Sequence, residues 1–294
     1  MKFTKYHGLG NDFVLINEEY LSDVQPETDI GLTAIKVCDR HIGIGADGLI
    51  IVKKDPLFMD VYNSDGSRSA MCGNGIRCFA KYCIDNGIIS QGVIEFDVGT
   101  LSGIKKIRLV ENPGNGNIDD FKVEVGMGMP DFSRKSLHID GDGDFLKQEI
   151  EVRGKKIIVS GVNTGVPHIV VWLDDNEITE AGPAMDLFMD EEISAFGKAL
   201  CFDPLFTEQA NIDFAIVTAP DEITMITYEK GAGITAACGT GATAAALLGM
   251  TEKGLGNEVL VHLPYGDMNI RRAGSGEMLM TGSASFVYSG ETEL

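Results

Sequence analysis

The sequence has few of the features that mark secreted, membrane-spanning or nucleic-acid-binding proteins. It has 6 cysteines in 294 residues, which is too few for a disulfide-built fold. No apolar run approaches the roughly 18 residues that span a bilayer, and the N-terminus lacks the pattern of a secretory signal. Its 24 basic residues stand against 44 acidic ones without forming a dense patch, which excludes a phosphate-backbone partner. We expect a cytoplasmic chain with free thiols that binds neither nucleic acid nor membranes.

Motifs for metal or nucleotide binding are also missing. No Cys-x-x-Cys or His-x-x-x-His pair occurs, which argues against a structural zinc site and a thioredoxin-like centre. The run "GIGADG", Gly43 to Gly48, has the glycine spacing of a dinucleotide fingerprint. A helical pattern precedes it and a strand pattern follows, whereas the fingerprint needs the reverse order. We interpret this run as a tight turn, and we expect neither a metal nor an organic cofactor.

The chain does contain many short β-type runs and only a few helical ones. About a dozen strand-like runs, such as "GLIIVKK" and "KKIIVSGV", favour mostly antiparallel sheets or barrels. The best helical patterns are "DIGLTAIKVCDRH", "GIRCFAKYCIDNG", "AMDLFMDEEISAFGKAL" and "GATAAALLGMTEKG". Since 294 residues suffice for two domains, the Gly/Asn/Asp-rich run "ENPGNGNIDD" at residues 111–120 becomes the predicted seam. This composition predicts an α+β fold.

Two segments of the chain repeat one motif. "MCGNGIRC" contains Cys72 and "ACGTGATA" contains Cys238, 166 residues later, and each cysteine begins a Cys-Gly-x-Gly turn. An alanine stands eight residues after each cysteine, at Ala80 and Ala246. A strand and a turn precede each copy, and a helix pattern follows it. The repeat predicts a duplicated domain whose two halves face each other across a cleft.

The repeated motif suits acid–base chemistry on an anion. A helix N-terminus offers unpaired N–H groups and a partial positive charge, which favour a bound carboxylate and can lower the pKa of a cysteine to between about 3.5 and 7.5. One such cysteine is most simply an ordinary buried thiol, and we interpret Cys78 and Cys83 as core residues. Two matched copies instead predict a racemase or epimerase, in which a thiolate removes a proton and a thiol returns one to the opposite face.

The sequence resembles the diaminopimelate epimerase family over essentially its whole length. The resemblance is carried by "KYHGLGNDFVLIN", "HIGIGADGLIIV", "YNSDGSRSAMCGNGIRCFA", "QANIDF" and "YEKGAGITAACGTGA". It implies two pseudo-symmetric β-barrel-like domains, each wrapped around a central helix, with the active site in the cleft between them. It also implies one catalytic cysteine per domain, no pyridoxal phosphate or metal, and a homodimer. We predict domains at 1–119 and 120–282, with a C-terminal strand at 283–294 returning to the first domain.

The resemblance also assigns roles to individual residues. It implies that Cys72 and Cys238 are the acid–base pair, whose substrate is a small-molecule amino acid. The residues that it places around the substrate are Gly73, Asn74, Gly239 and Thr240 at the reacting carboxylate, Asn11, Asn63 and Asn211 as further substrate-binding positions, and His168 and Glu229 at the reacting ammonium group.

Three positions depart from the family pattern at the distal end of the substrate. Val166 replaces an asparagine, Lys230 replaces an arginine that clamps the distal carboxylate, and Tyr265 replaces a glycine. Lysine keeps the charge but loses the planar fork that holds a carboxylate at two points. These changes alter the side-chain end of the pocket, but the length of the family match keeps one reaction first: conversion of L,L-diaminopimelate to meso-diaminopimelate, a precursor of lysine and peptidoglycan. The alternatives are a racemase of a different amino acid and a catalytically silent amino-acid-binding protein.

Overall fold

The chain forms two compact units in the computed structural model. The structure describes residues 1–21, 29–90, 92–111, 121–178 and 190–293. The first unit comprises Met1–Val125 and Thr281–Leu294, and the second comprises Gly126–Met280. The predicted boundary at residues 119 and 120 lies outside the described residues, as does nearly all of the Gly/Asn/Asp-rich run. In the part that is described, no helix is both long and apolar enough to cross a membrane.

The described residues contain eighteen strands and four α-helices, together with a short 3₁₀ helix at Glu18–Tyr20. In chain order these elements are β1 (Lys2–Gly8), β2 (Asn11–Asn17), α1 (Ile30–Cys38), β3 (Gly48–Lys54), β4 (Leu57–Asn63), β5 (Arg68–Ser69), α2 (Gly73–Asp85), β6 (Glu95–Thr100), β7 (Gly103–Glu111), β8 (Lys122–Gly128), β9 (Gln148–Val152), β10 (Lys155–Asn163), β11 (Pro167–Trp172), α3 (Glu191–Cys201), β12 (Asn211–Ala219), β13 (Glu222–Glu229), β14 (Gly233–Thr235), α4 (Gly239–Glu252), β15 (Glu258–Leu263), β16 (Gly266–Arg272), β17 (Met278–Ser283) and β18 (Ser285–Glu291).

The first unit is a mixed sheet packed around one helix. Its strands pair in the order β18, β1, β2, β3, β4, β6, β7 and β8. The pairs β2–β3 and β4–β6 are parallel and the others are antiparallel, while the short β5 pairs with β4. Helix α2 packs against β1, β2, β3, β4 and β18. The C-terminal strand β18 therefore pairs with the N-terminal strand β1 of the same unit.

The second unit repeats this succession of elements. Its strands pair in the order β9, β10, β11, β12, β13, β15 and β16, with parallel pairs at β11–β12 and β13–β15. The short β14 pairs with β13, as β5 pairs with β4. Helix α4 packs against β10, β11, β12, β13, β15 and β16. The expected α+β fold with a central helix in each unit is confirmed.

The sequences of α2 and α4 explain why these helices are central. A helix that is apolar or small on all sides is stable only when protein surrounds it. In α4 the run "GATAAALLG" is buried on every face, and in α2 the residues from Gly73 to Ala80 are all buried. The absence of large side chains along α4 lets strands approach its backbone from several directions. Each Cys-Gly-x-Gly motif is thereby fixed at the start of a rigid helix.

Only the second part of one predicted helix lies within the described residues. The pattern "AMDLFMDEEISAFGKAL" covers residues 184–200, and residues 184–189 lie outside the described residues. The described helix α3 begins at Glu191, because the carboxylate of Asp190 accepts a hydrogen bond from the backbone N–H of Ile193 at 3.0 Å and caps the first turn. Ile193, Phe196 and Leu200 then pack into the core of the second unit.

Candidate active site

Cys72 is the N-cap residue of α2. Its extended backbone ends the preceding loop, and its Sγ accepts a hydrogen bond from the backbone N–H of Gly75 at 3.3 Å. A Cβ at position 75 would lie 3.3 Å from the Cys72 Cβ, so the motif needs glycine there. The thiol is partly exposed, whereas Gly73 and Asn74 are buried. The sulfur thus lies beside the N–H groups of a helix start, where a carboxylate is favoured.

Asn74 and Asn11, two of the predicted binding residues, are joined in the first unit. The amide of Asn74 donates to Asn11 Oδ1 at 3.2 Å, and the amide of Asn11 donates to Asp47 Oδ2 at 2.9 Å. Asp47 also accepts from Arg40 at 2.8 Å. The sequence reasoning missed Asp47, because it interpreted "GIGADG" only as a turn. The turn is present, with Gly45 at a φ of +81°, and it also supplies the carboxylate that orients Asn11.

A buried arginine supports this loop from within the first unit. The guanidinium of Arg77 donates to Gly73 O at 3.0 Å, to Asn74 Oδ1 at 2.9 Å and to Ser283 O at 3.0 Å. Burial lowers the pKa of Arg77 to about 10, so the group stays charged at neutral pH. Gly8 and Gly282 leave room for it, since a Cβ at either position would lie 3.0 Å from a guanidinium nitrogen. Arg77 fixes the Asn74 side chain with its amide toward Asn11.

Asn63 stands apart from these residues. It is the last residue of β4, is exposed, and donates to Ser67 Oγ at 2.9 Å. Its counterpart in the second unit is Glu229, the last residue of β13, and each stands nine residues before its cysteine. The duplication thus places an amide in one copy where the other has a carboxylate.

Cys238 is the N-cap residue of α4 and begins a chain of polar contacts. Its Sγ lies 3.3 Å from Thr240 Oγ1, which lies 2.8 Å from His168 Nε2. His168 Nδ1 lies 2.7 Å from Asp213 Oδ2, and Thr227 donates to Asp213 Oδ1 at 2.7 Å. His168 and Asp213 are fully buried. The structure therefore brings the predicted residues Cys238, Thr240 and His168 together and adds Asp213, which the sequence reasoning did not single out.

Burial decides the protonation of Cys238. Burial raises the pKa of Cys238 well above 9.0, and the carboxylates of Glu229 and Asp213 raise it further. The lowered pKa expected at a helix N-terminus is therefore wrong for Cys238, because desolvation and two nearby acids outweigh the helix. Burial also raises the pKa of Glu229, although hydrogen bonding from Thr235, at 2.5 Å, opposes that shift. Cys238 is accordingly a thiol at neutral pH.

His168 and Glu229, both predicted to lie at the reacting ammonium group, have different hydrogen-bond partners. Both ring nitrogens of His168 lie within 2.8 Å of a partner, Asp213 on one side and Thr240 on the other. Glu229 instead accepts from Thr235, so its role toward a substrate ammonium group does not depend on a bond to His168. The structure buries His168 completely.

Asn211 and Lys230 are joined to each other in the second unit. Asn211 begins β12 opposite His168, and its Oδ1 accepts the backbone N–H of Lys230 at 2.9 Å. The Lys230 ammonium group donates to the backbone carbonyl of Glu208 at 2.7 Å, and the residue is exposed. Val166 and Tyr265, the other two departures from the family pattern, have exposed fractions of 42% and 64%.

The remaining cysteines are core residues, as expected for Cys78 and Cys83. Cys38, Cys78, Cys83 and Cys201 are buried, and burial raises the pKa of each thiol, to about 12 for Cys38. Within the described ranges no group of three or more His, Cys, Asp and Glu side chains is arranged to hold a metal ion.

The chain is similar to named proteins along its full length. It is 39% identical over 299 residues to a diaminopimelate epimerase of Moorella thermoacetica, with 100% of each chain covered. It is 36% identical over 300 residues to the diaminopimelate epimerase of Halothermothrix orenii, covering 99% of this chain and 97% of that one. The diaminopimelate epimerase of Methanocaldococcus jannaschii is 37% identical over 303 residues, covering 98% and 97%.

Solved structures share the fold at low identity. A probable proline racemase from Agrobacterium radiobacter matches with a TM-score of 0.68 at 14% identity, covering 100% of this chain and 93% of that one. A hydroxyproline epimerase from Agrobacterium vitis matches with a TM-score of 0.66 at 15% identity, covering 99% and 91%. The family model described as diaminopimelate epimerase matches residues 3–132 and 160–287. Taken with the two cysteine-capped helices, these matches establish that the chain belongs to the diaminopimelate epimerase family.

Proposed function

We propose that the chain converts L,L-diaminopimelate to meso-diaminopimelate with two thiols as the proton carriers. As a member of its family the chain is an isomerase. The observation that carries the proposal is the duplicated helix start, in which Cys72 and Cys238 are each the N-cap residue of a central helix. The curated relatives are named diaminopimelate epimerases, which favours this substrate over another amino acid and over a silent binding protein.

The reaction inverts one α-carbon through a carbanion. A thiolate removes the α-proton from one face, and a thiol delivers a proton to the opposite face, which exchanges the configuration. The electron pair left on carbon is stabilised by the adjacent carboxylate when hydrogen-bond donors surround that carboxylate. In our proposal these donors are the first-turn N–H groups of α2 and α4, at Gly73, Asn74, Gly239 and Thr240.

The two thiols begin the reaction in different settings. The raised pKa of Cys238 makes it the proton donor of the resting protein. Cys72 lies beside the Gly75 N–H and five residues before the buried guanidinium of Arg77, a setting that favours negative charge on sulfur. We therefore propose that Cys72 is the base in the first half of the cycle and that the roles exchange in the reverse direction.

The proposed binding of the substrate follows from the remaining residues. Glu229, a mostly buried carboxyl group that forms a hydrogen bond with Thr235, would hold the ammonium group at the reacting carbon. Asn11, Asn63 and Asn211 would bind the distal part of the substrate, and Lys230 would attract the distal carboxylate. Lysine binds a carboxylate as a point charge without the two-point geometry of arginine.

We also propose that the protein is a cytoplasmic homodimer, which the family resemblance implies. Light scattering of the purified chain measures its mass directly. A mass near twice the 31.6 kDa of one chain supports the dimer, and a mass of one chain contradicts it.

Proton NMR in deuterated water tests the proposed function. The native chain is incubated with L,L-diaminopimelate and, separately, with a panel of ordinary L-amino acids, while the α-proton signal is followed. With the native chain we expect the α-proton signal to disappear for diaminopimelate only. With the Cys72→Ala and Cys238→Ala variants we expect the signal to remain. Exchange only on another amino acid would assign a different substrate, and no exchange on any of them would contradict an enzymatic role.

A further inference from the structure

We propose that Asp213, His168 and Thr240 form a proton relay that serves Cys238. In this relay Cys238 exchanges its proton with His168 through the hydroxyl of Thr240, and Asp213 is a positioning residue that holds the imidazole. The inference rests on the proposed function, because it explains how the second thiol can alternate between acid and base.

The relay is built from four neighbouring elements of the second unit. His168 stands on β11, Asp213 on the parallel strand β12, and Thr227 opposite Asp213 on β13. Thr240 lies in the first turn of α4. A Cβ at Gly241 would collide with the Asp213 carboxylate and with Thr227 Oγ1, so glycine in this turn lets the carboxylate pack against the helix. The arrangement is closely packed, and Thr227 is 1% exposed.

The hydrogen-bonding capacities of these groups fix where the protons lie. An ionised carboxylate only accepts, so Asp213 accepts from Thr227 at one oxygen and from His168 Nδ1–H at the other. A neutral imidazole then has an acceptor at Nε2, which takes the hydroxyl proton of Thr240. The oxygen of Thr240 in turn accepts the S–H of Cys238. The side-chain amide of Asn211 also lies 3.5 Å from His168 Nε2, which suits an acceptor at that nitrogen.

The same contacts allow the thiol to ionise without releasing a proton to water. The S–H bond of Cys238 breaks and its proton bonds to Thr240 Oγ1, while the hydroxyl proton of Thr240 passes to His168 Nε2. The products are a thiolate and an imidazolium that the Asp213 carboxylate stabilises. The reverse transfer restores the thiol, so no proton is gained or lost overall.

The environment of Cys238 explains why such a relay is needed. The thiol is 5% exposed, so bulk water has little access to it. Glu229 on β13 forms a hydrogen bond with Cys238, but its charge and that of Asp213 on β12 both oppose a negative sulfur. His168 on β11, linked to Cys238 through Thr240, is the neighbouring base that becomes positive when it takes the proton. The thiolate needed for one reaction direction therefore requires a compensating positive charge close by, which the imidazolium provides.

At the matching position the described part of the first unit has an amide side chain where the second unit has the Thr240 hydroxyl. Two residues after Cys72 stands Asn74, where Thr240 stands after Cys238, and the side-chain amide of Asn74 donates to Asn11. A carboxamide pair of this kind does not carry a proton at neutral pH. Cys72 is partly exposed, whereas Cys238 is buried. The two copies of the motif thus handle the sulfur proton in different ways.

The hydroxyl of Thr240 provides the sharpest test, because valine has nearly the same shape as threonine and lacks the hydroxyl. Thr240→Val keeps the backbone N–H of the helix start and removes the relay, while Thr240→Ser retains the hydroxyl. General acid–base groups contribute about 10²–10⁴-fold to rates. We expect Thr240→Val to lower kcat on diaminopimelate by about 100-fold or more with KM within about threefold, and Thr240→Ser to stay within about fivefold of the native kcat.

The tautomer of His168 tests the positioning role of Asp213 independently of activity. Nitrogen NMR of the histidine side chains should show the proton of neutral His168 on Nδ1 in the native chain and on Nε2 in Asp213→Asn. Asp60→Asn is the control, since Asp60 is a buried carboxylate of the first unit that binds Arg68 at 2.7 Å. That control should leave the His168 signals unchanged.

The outcomes separate failure of the relay from failure of the proposed function. A native chain that exchanges no α-proton would overturn the proposed function, and the NMR tautomer would still decide the relay geometry. A native chain that is active while Thr240→Val and Thr240→Ser have equal kcat would overturn the relay. A His168 proton on Nε2 in the native chain would overturn it as well. If Asp213→Asn does not fold, the Thr240 pair remains decisive.

Discussion

Arg77 and Thr243 occupy the same position in the two copies of the motif, five residues after each cysteine. Arg77 donates to the carbonyl of Gly73 at 3.0 Å, and Thr243 donates to the carbonyl of Gly239 at 2.8 Å. Each residue therefore ties the helix to the glycine that follows its cysteine. One donor is a buried cation and the other is a neutral hydroxyl, so the duplicated units keep one hydrogen bond while differing in charge.

Arg77→Met should destabilise the protein substantially. The change leaves three oxygen atoms, on Gly73, Asn74 and Ser283, without the guanidinium that they bind. A buried polar group that loses its partner costs about 1–3 kcal/mol, and we expect a loss of about 3 kcal/mol in the free energy of unfolding. Urea titration measures it. Thr243→Val is the matched control, expected to cost about 1 kcal/mol; equal losses would contradict the special role of Arg77.

Asp12→Asn should lower the free energy of unfolding most at neutral pH. It should also reduce the loss of stability that acid causes in the native chain. Burial opposes ionisation of Asp12, but Arg40 and Lys5 outweigh it and lower the pKa from 3.8 to about 2. This carboxylate therefore stabilises the fold above pH 3.8, and its contribution disappears as the pH falls through about 2. We expect a loss of about 2 kcal/mol at pH 7. A variant whose stability matches the native chain at pH 7 would contradict the prediction.

Glu229→Gln should change stability in the opposite sense. Burial raises the pKa of Glu229 above 4.5, so the folded state holds this proton more tightly than the unfolded chain does. Its ionisation therefore destabilises the fold increasingly as the pH rises from about 4.5 through the folded pKa. The variant should lack this pH dependence and be more stable than the native chain at pH 8, as measured by thermal unfolding.

The same variant should be nearly inactive. Glu229 is the proposed partner of the substrate ammonium group, and loss of such a charge costs about 10²-fold in kcat/KM. Glu222→Gln, on the same strand but bonded to His262, serves as the control and should retain native activity. Comparable activity of the two variants would remove Glu229 from the site.

Lys230→Gln should raise KM for diaminopimelate by about tenfold with kcat within about threefold. The lost attraction to the distal carboxylate corresponds to about 1.4 kcal/mol. Lys156→Gln is the control, because Lys156 is an exposed lysine of the same unit that binds Glu149 at 2.7 Å. An unchanged KM in Lys230→Gln would show that another residue holds the distal carboxylate.

The strand pattern was predictable because it depends on local alternation and turn residues. "GLIIVKK" coincides with β3, and "KKIIVSGV" differs from β10 by one residue. The two-residue β5 and the three-residue β14 were not predictable, because strands this short show no periodic pattern in the sequence. These two strands matter because each leads into a cysteine motif, and only pairing with β4 and β13 reveals them.

Individual partners in the site were less predictable than the motifs. Cys72 and Cys238 were identified from the repeat, because a helix start has a local signature. Asp213 follows "QANI" in an ordinary strand pattern. Only the antiparallel pairing of β12 with β13 shows that it lies opposite Thr227. The raised pKa of Cys238 likewise depends on burial by distant segments. The sequence does contain one indication of a role for Asp213, because an acidic residue within an apolar, buried strand needs a partner.

Deuterium incorporation during the first turnover in deuterated water tests the two-thiol account most directly. Native protein is mixed with L,L-diaminopimelate, and the reaction is stopped well before equilibrium. Substrate and product are then separated, and mass spectrometry measures the deuterium content of each. Because the thiol that delivers the proton differs from the thiolate that removes it, the meso product should carry deuterium at the inverted carbon while recovered substrate carries almost none. Equal deuterium in substrate and product would show that one base serves both faces and would contradict the account.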